Sequence, residues 1–326
     1  MSIGMWSAPI ESGRDPRFSC DSSLMSPFAP RPVPRCSPWL ALGTGLLLAG
    51  ATLLYAQFPG GGRGGRGGGF GGGFPGGRGR PPAANRADYP MWDNPKGFES
   101  DVFTFARIQF DSQGGGGRMG SSWSNDFPDC DWNFSFRLQQ LTTIATDPMG
   151  KVFRLTDPQL FDYPFVFMTN VQTMALDPEE AAALRKYLLG GGFLMADDFW
   201  TPAAWRHVQR VMQQVFPDRQ PRELPLEHEI FHIVYDLQAL PQVPSILAWQ
   251  QGDRFEYWHG DPEGDEAPHF HGYFDDAGRL VALFCQNNDI GDGWEREGES
   301  KEYFQEFSEK WSYPFGINVI TYAMTH

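Results

Sequence analysis

The stretch LDPEEAAALRKYLLGGGFLMADDFW, Leu176–Trp200, decides the fold. It reads as a helix, a glycine turn, a buried strand and two consecutive aspartates. Asp177 suits the helix cap and Pro178 the first turn. Glu179 and Glu180 favour the positive end of the helix dipole, and Arg185 and Lys186 the negative end. Leu184, Tyr187 and Leu188 fall on one face at helical spacing. Gly190–Gly192 permit a left-handed exit and a close approach of helix to strand. Phe193–Ala196 is a short apolar run, as expected of a strand covered on both faces. Ligands of open α/β sheets bind beyond the carboxyl ends of such strands, where Asp197 and Asp198 fall.

The same alternation extends outward. Val102–Phe110 reads as a first strand, Gly114–Gly117 as a loop, and Asp131–Thr146 as a helix with Phe134, Leu138, Leu141 and Ile144 on one face. Val152–Leu155 and Pro164–Thr169 read as strands. Thr201–Phe216 is a helix capped by Thr201 and stopped by Pro217. Strands alternating with helices predict an α/β domain with a doubly wound, mostly parallel sheet. After Pro221 the pattern changes. Ser245–Gln250 reads as a strand, and His269–Asp275 and Leu280–Gln286 as a C-terminal β-hairpin around Asp276–Gly278. Phe315–Met324 closes the chain as an apolar helix.

The first part of the chain is not domain. Trp39–Ala56 is apolar and uncharged, preceded by Arg31 and Arg35 and followed by Gln57. That is the plan of a secretory signal peptide, with a membrane anchor as the alternative at this length. Residues 1–56 are therefore expected to be leader or anchor. Either way the rest lies outside the cytoplasm, in the periplasm or envelope, with membrane association possible through Trp39–Ala56. Residues 57–88 form a Gly/Arg-rich linker with no hydrophobic periodicity, expected to be disordered. Residues 89–326 form the domain, long enough to bury one substantial core.

The whole chain carries a net charge of −14. From Ala83 onward there are 37 acidic and 18 basic residues, a net of −19. That charge excludes nucleic acid as the main partner. Of the four cysteines, only Cys130 and Cys285 lie in the domain. They can pair in an oxidising compartment, but the apolar setting of Cys285 favours a free buried thiol.

Several residues are candidates for chemistry. His228–His232, HEIFH, matches the H-E-x-x-H zinc-protease pattern. Its flanks argue against that reading. Pro225 precedes it, β-branched residues follow, and Tyr235 and Gln238 stand where an extended motif needs Gly and His. Glu256 is not signalled as a third ligand. His269 and His271 alternate on a strand and share a side, and with His259 they offer a metal site or simply a surface pair. Asp289 and Asp292, in NNDIGDGW, suit calcium, a sugar or a structural turn. Asp126, Asp129 and Asp131 precede or open a helix, with Arg137 inside it. The candidate pocket is Asp197, Asp198, His228, His232, Asp126, Asp289 and Arg137. No motif specifies a cofactor or a metal. Neither a G-x-S-x-G elbow, a P-loop nor a G-x-G-x-x-G after a strand occurs.

FARIQF, WSNDFPDCDWNFSFRLQQLT, LFDYPFVFMTN, LRKYLLGGGFLMADDFW, ELPLEHEIFH, GRLVALFCQNNDIGDGWE and FGINVITYAMTH together resemble an uncharacterised bacterial domain-of-unknown-function family. That family also forms the C-terminal part of BatA-like aerotolerance membrane proteins. It is similar to the class I glutamine amidotransferase-like group, which implies a flavodoxin-like core. The YLLGGGFL segment is similar to that group's trehalose-utilisation branch. True members carry a cysteine nucleophile after the strand where this chain has Ala196, Asp197 and Asp198, so thiol-based glutamine hydrolysis is not expected. The family often has Pro at the place of Glu229, which makes HEIFH a coincidental match. The resemblance thus implies an exported, non-catalytic domain binding a polar small molecule, a glycan or an envelope protein. The alternatives are a hydrolase using the Asp/His pocket with or without a metal, and a structural component of a BatA-associated complex.

Overall fold

The computed structural model describes residues 86–94, 96–97, 101–113, 122–255 and 266–326. The leader, the Gly/Arg tract, the Gly114–Gly117 loop, Glu256 and His259 lie outside the described residues. Among the described residues, no helix is long and apolar enough to cross a membrane.

Nine strands are present among the described residues: β1 (Ala106–Ile108), β2 (Asp111–Ser112), β3 (Lys151–Phe153), β4 (Phe165–Thr169), β5 (Met174–Ala175), β6 (Phe193–Phe199), β7 (Arg222–Glu223), β8 (His269–Phe274) and β9 (Leu280–Gln286). Seven form one sheet in the order β3-β1-β4-β6-β9-β8-β7, and β2 pairs with β5. The pairs β3–β1, β1–β4, β4–β6 and β6–β9 are parallel. β8 and β7 extend the sheet antiparallel at one edge. Counted in chain order, the five parallel strands run 2-1-3-4-5. The order reverses between β1 and β4, and crevices for ligands open at such a switch point.

The principal helices are α1 (Asp129–Leu141), α2 (Pro178–Leu189), α3 (Thr201–Val215), α4 (Ile246–Gln250), α5 (Asp292–Glu295), α6 (Lys301–Tyr303) and α7 (Tyr313–Thr325), with a π-helical Phe304–Ser312 joining the last two. Strand alternation sorts the core into two layers. Phe165, Phe167, Phe193, Met195, Leu283 and Cys285 pack with Phe134 and Leu138 of α1 and Phe315 and Val319 of α7. Val166, Met168, Leu194, Ala196, Ala282 and Phe284 pack with Leu184 and Leu188 of α2 and Val208 and Met212 of α3. The sheet is therefore covered on both faces.

The opening stretch folds as its residues dictate. Asp177 and Glu180 form a reciprocal capping box with Pro178 in the first turn. The left-handed exit falls at Gly191, φ +113°. At Gly192 a β-carbon would stand 2.3–2.6 Å from the Tyr187 ring, whose hydroxyl is held by the Tyr163 carbonyl at 2.8 Å. Thr201 caps α3 by accepting the Ala204 amide at 3.1 Å.

Three expectations change. The Phe193–Ala196 strand runs on to Phe199, so Asp197 and Asp198 stand within its last turn of pairing. Ser245–Gln250 is not a strand: Ile246–Gln250 is a helix, with the Ser245 hydroxyl accepting the Ala248 amide. Five apolar residues do not distinguish a strand from a buried helical turn by periodicity, and the Ser cap after Pro244 decides for helix. Helix α1 begins at Asp129 and stops at Leu141, because Thr142 is extended and turns its hydroxyl onto the Leu138 carbonyl. Cys130 and Cys285 are both free and buried.

Candidate functional site

Three strands of the parallel sheet and the stretch before α1 deliver polar residues to one end. Asn125 and Asp126 precede α1, Thr169 and Asn170 end β4, Asp197 and Asp198 end β6, and Asn287–Asp289 follow β9. In each of these the backbone enters the left-handed region: Asp126 at φ 59°, Asn170 at 56°, Asp198 at 54° and Asn287 at 57°. Asp and Asn are the non-glycine residues that tolerate this conformation best. Strain of this kind clusters at functional sites. In β6 it comes with a register shift between Ala196 and Phe199. The Asp198 amide meets the Asn288 carbonyl, and the Asn287 amide meets the Phe199 carbonyl.

The result is a buried group of carboxylates. Oxygens of Asp126, Asp198 and Asp289 all lie within 4.8 Å of one another, as do oxygens of Asp126, Asp292 and Glu295. Asp126 belongs to both sets and joins them. Asp198 Oδ2 accepts from Asn125 Nδ2 at 2.7 Å and Asn170 Nδ2 at 3.2 Å. The Thr169 hydroxyl stands 3.4 Å from both Asp126 Oδ2 and Asp198 Oδ2. Asp289 Oδ1 caps α5 through the Asp292 amide at 3.0 Å. Asp197 Oδ2 accepts the Gly291 amide at 2.8 Å, while its Oδ1 is buried with no hydrogen-bond partner among the described residues.

Positive charge is scarce there. Arg107 is fully buried, but its Nε is spent on Asp131 at 3.0 and 3.1 Å. Its Nη1 donates to the Asn125 carbonyl at 3.1 Å, holding the loop that carries Asp126. Arg296 pairs with Asp292 at 3.1 Å and Glu295 at 2.8 Å on the rim. The carboxyls respond accordingly. Burial, then the Asp292 charge, pushes Asp126 up to about 7. Burial, then Asp126, pushes Asp197 up to about 8. Asp198 and Asp289 rise well above the carboxylate range, again by burial first and then by neighbouring aspartates. Glu295 is pushed up to about 10 by burial and Asp126. Such a group needs protons or a cation.

The sequence candidates divide. Asp126, Asp197, Asp198 and Asp289 are brought together. His228, His232 and Arg137 are not, and the expected sharing of one pocket with a histidine is corrected here. His228 packs near Tyr322, whose hydroxyl accepts the amide of Leu280. Leu280 begins β9, whereas the carboxylates lie beyond its other end, about 20 Å away at strand rise. HEIFH is no helix: Glu229–Phe231 is a 3-10 turn capped by His228. His232 spends Nδ1 on Asp236 at 2.5 Å and Nε2 on the Leu226 carbonyl at 2.6 Å. Arg137 pairs with Glu297, which also accepts the Tyr313 hydroxyl. His269 and His271 do share a side, their rings parallel at 5.8 Å. Trp205 stacks on His271 at 3.9 Å.

The grouping adds Glu295, Asn125, Asn170 and Arg296, and draws in Asp292. One signal for them was legible. Asp289, Asp292 and Glu295 recur every three residues, which puts them on one side of a helical turn. Asn125 and Asn170 gave no signal beyond their place after a strand.

A family model described as a domain of unknown function, DUF4159, matches residues 104–324. The chain belongs to the DUF4159 family. The match begins two residues before β1 and ends within α7, so it takes in the sheet and every carboxylate of the site. No curated protein matches the chain.

Proposed function

We propose that this DUF4159 chain is an exported binding domain that holds a divalent cation in its acidic crevice and binds a polar ligand through it. One observation carries the reading. Asp126, Asp198 and Asp289 converge, buried, and among the described residues no ion pair neutralises them. The unpartnered Asp197 oxygen supports it independently. An all-oxygen donor set suits a hard cation, Ca²⁺ or Mg²⁺, better than zinc. A bound ion would neutralise the crevice and leave positions for a ligand's hydroxyl or carboxylate oxygens. The 2-1-3-4-5 strand order supports the class I amidotransferase-like, flavodoxin-like group. The Arg-flanked apolar leader supports export to the periplasm or envelope. The resemblance to BatA-like C-terminal parts supports an envelope protein as partner.

Calorimetry on the chelator-stripped protein tests the cation. One equivalent of Ca²⁺ or Mg²⁺ should bind, and Asp198→Asn should lose at least about tenfold in affinity, or 1.4 kcal/mol. Absence of binding by Ca²⁺, Mg²⁺, Mn²⁺ and Zn²⁺ alike sinks the proposal. N-terminal sequencing of the mature protein should begin at Gln57; an intact Trp39–Ala56 in membranes establishes an anchor instead.

A second reading is a hydrolase, favoured by the values near 7 and 8 for Asp126 and Asp197. Acids that titrate near neutrality are suited to general acid–base work. Turnover of a panel of glycosides and esters, abolished in Asp197→Asn, would support it over simple binding. Thiol catalysis finds no nucleophile at the strand end, and burial pushes the Cys130 and Cys285 thiols well up.

A further inference from the structure

A second concavity lies along the outer side of α3. Arg206, Gln209, Arg210, Gln213, Gln220 and Tyr273 line a groove of about 590 Å³, within the usual size of a small-molecule site. The sequence of α3 explains the lining. Val208, Val211, Met212 and Val215 face the core. Arg206 and Arg210, and Gln209 and Gln213, are pairs four residues apart, so each pair shares one side of the helix. The floor comes from β8. Tyr273 is only 2% exposed, stacked on Phe216 at 5.6 Å and set against Phe284 at 6.0 Å. Its hydroxyl nevertheless has no hydrogen-bond partner among the described residues. A phenol whose ring is buried and whose hydroxyl meets no partner among the described residues offers a donor and an acceptor to an occupant of the groove. Arg210 leans on the ring of His207 at 3.4 Å, and His207 is fixed by the Met174 carbonyl at 2.8 Å. Gln213 is tied to the Pro217 carbonyl at 3.0 Å. The rim is thus partly pre-arranged.

Two guanidiniums on one side of a helix stand out in a domain of net charge −19. Arginine forks match carboxylate and phosphate oxygens, and amides and a phenol match hydroxyls. We propose that this groove binds a polyhydroxylated anion, a uronate or a sugar phosphate. Arg210 takes the anionic group, with Arg206 beside it on the same side of the helix, and Tyr273 and the glutamines take the hydroxyls. The groove shares no residue with the acidic crevice, so it stands whatever the crevice binds.

Calorimetry on the full chain, with chelator present, tests this with four probes: digalacturonate, glucose 6-phosphate, inorganic phosphate and a neutral digalactoside. One of the two anionic sugars should bind, and which one does identifies the anionic group. Arg206→Gln/Arg210→Gln should weaken binding by about tenfold or more, as expected for losing charge-assisted hydrogen bonds. Tyr273→Phe, which keeps the packing, should weaken it about three- to tenfold for one neutral hydrogen bond. Asp198→Asn should leave it unchanged. The proposal is overturned if neither anionic sugar binds, if inorganic phosphate or the digalactoside binds as tightly, or if the arginine double variant, folded by circular dichroism, binds like the parent.

Discussion

Asp197 binds the amide of Gly291 through one oxygen and presents the other, buried, to no donor among the described residues. That bond adds to the backbone bonds of Asp198 and Phe199 in tying the end of β6 to the turn after β9. The turn fits closely around its glycine. A β-carbon at Gly291 would stand 3.0 Å from Asp126 Oδ2 and 3.6 Å from Asp197 Oδ2. Gly291 is thus the spacer that lets two carboxylates approach from opposite sides. Gly291→Ala should displace Asp126 and weaken cation binding by about tenfold, 1.4 kcal/mol. The fold should survive, since no other backbone lies in the way. Titration of the variant by calorimetry checks this; unchanged affinity would remove Asp126 from the ligand set.

Cation binding should raise thermal stability. A ligand at about 100 times its Kd stabilises by about 2.7 kcal/mol. For a domain of this size each kcal/mol moves Tm by about 2–4 °C. A rise of about 5–10 °C with Ca²⁺ or Mg²⁺ is expected, and it should vanish in Asp198→Asn. Without cation, Asp198→Asn should be about as stable as the parent, because burial already holds Asp198 protonated and the amide is a neutral group of the same shape.

The pH dependence has a definite sign. Asp126 and Asp197 titrate near 7 and 8 in the folded chain, against about 3.9 unfolded. Between those values the folded state holds more protons, so stability falls as pH rises. The contribution is complete below the unfolded value and lost as pH rises through 7 to 8. In chelator, Tm should drop between pH 5 and 8.5. With saturating cation the slope should flatten, because the ion replaces the protons. A chelated protein that grows more stable over this window would contradict the cluster's electrostatics.

The Arg107–Asp131 pair is buried on both sides. Asp131→Asn strands a guanidinium in the core and should cost about 3–5 kcal/mol, read as a lower urea midpoint. The double change Arg107→Met/Asp131→Leu should cost less than Asp131→Asn alone. It should still weaken cation binding, since Arg107 also holds the Asn125 carbonyl beneath Asp126.

Much of the frame was legible in the chain. The Asp177–Glu180 cap, the Gly190–Gly192 turn and the apolar Phe193–Ala196 opening of β6 are local signals, and each formed where its chemistry placed it. So did the pairing of β8 with β9 around Asp276–Gly278. Ser245–Gln250 failed because a run so short carries no period. The site was legible in halves. Strand topology pointed to Asp197 and Asp198, the polar loop after a strand to Asp289, and the acidic stretch before the first helix to Asp126. His228 and His232 misled because a five-residue motif says nothing about which end of the sheet its loop occupies. That is set by α7, where Asn318 takes the amides of Val234 and Tyr235 from 83 or more residues away.

The irregular stretch of β6 between Ala196 and Phe199 has an evolutionary corollary. The hydrophobic side chains that hold the sheet end at Ala196, and pairing resumes at Phe199. The two residues between them, Asp197 and Asp198, are what β6 gives the crevice. Deleting one would make the β6–β9 pairing regular, keep both layers and take one carboxylate out of the crevice. Ligand choice can therefore drift by insertion or deletion at this point while the scaffold is inherited unchanged. Two descendants of one ancestor can superimpose strand for strand and still differ in what, if anything, they hold.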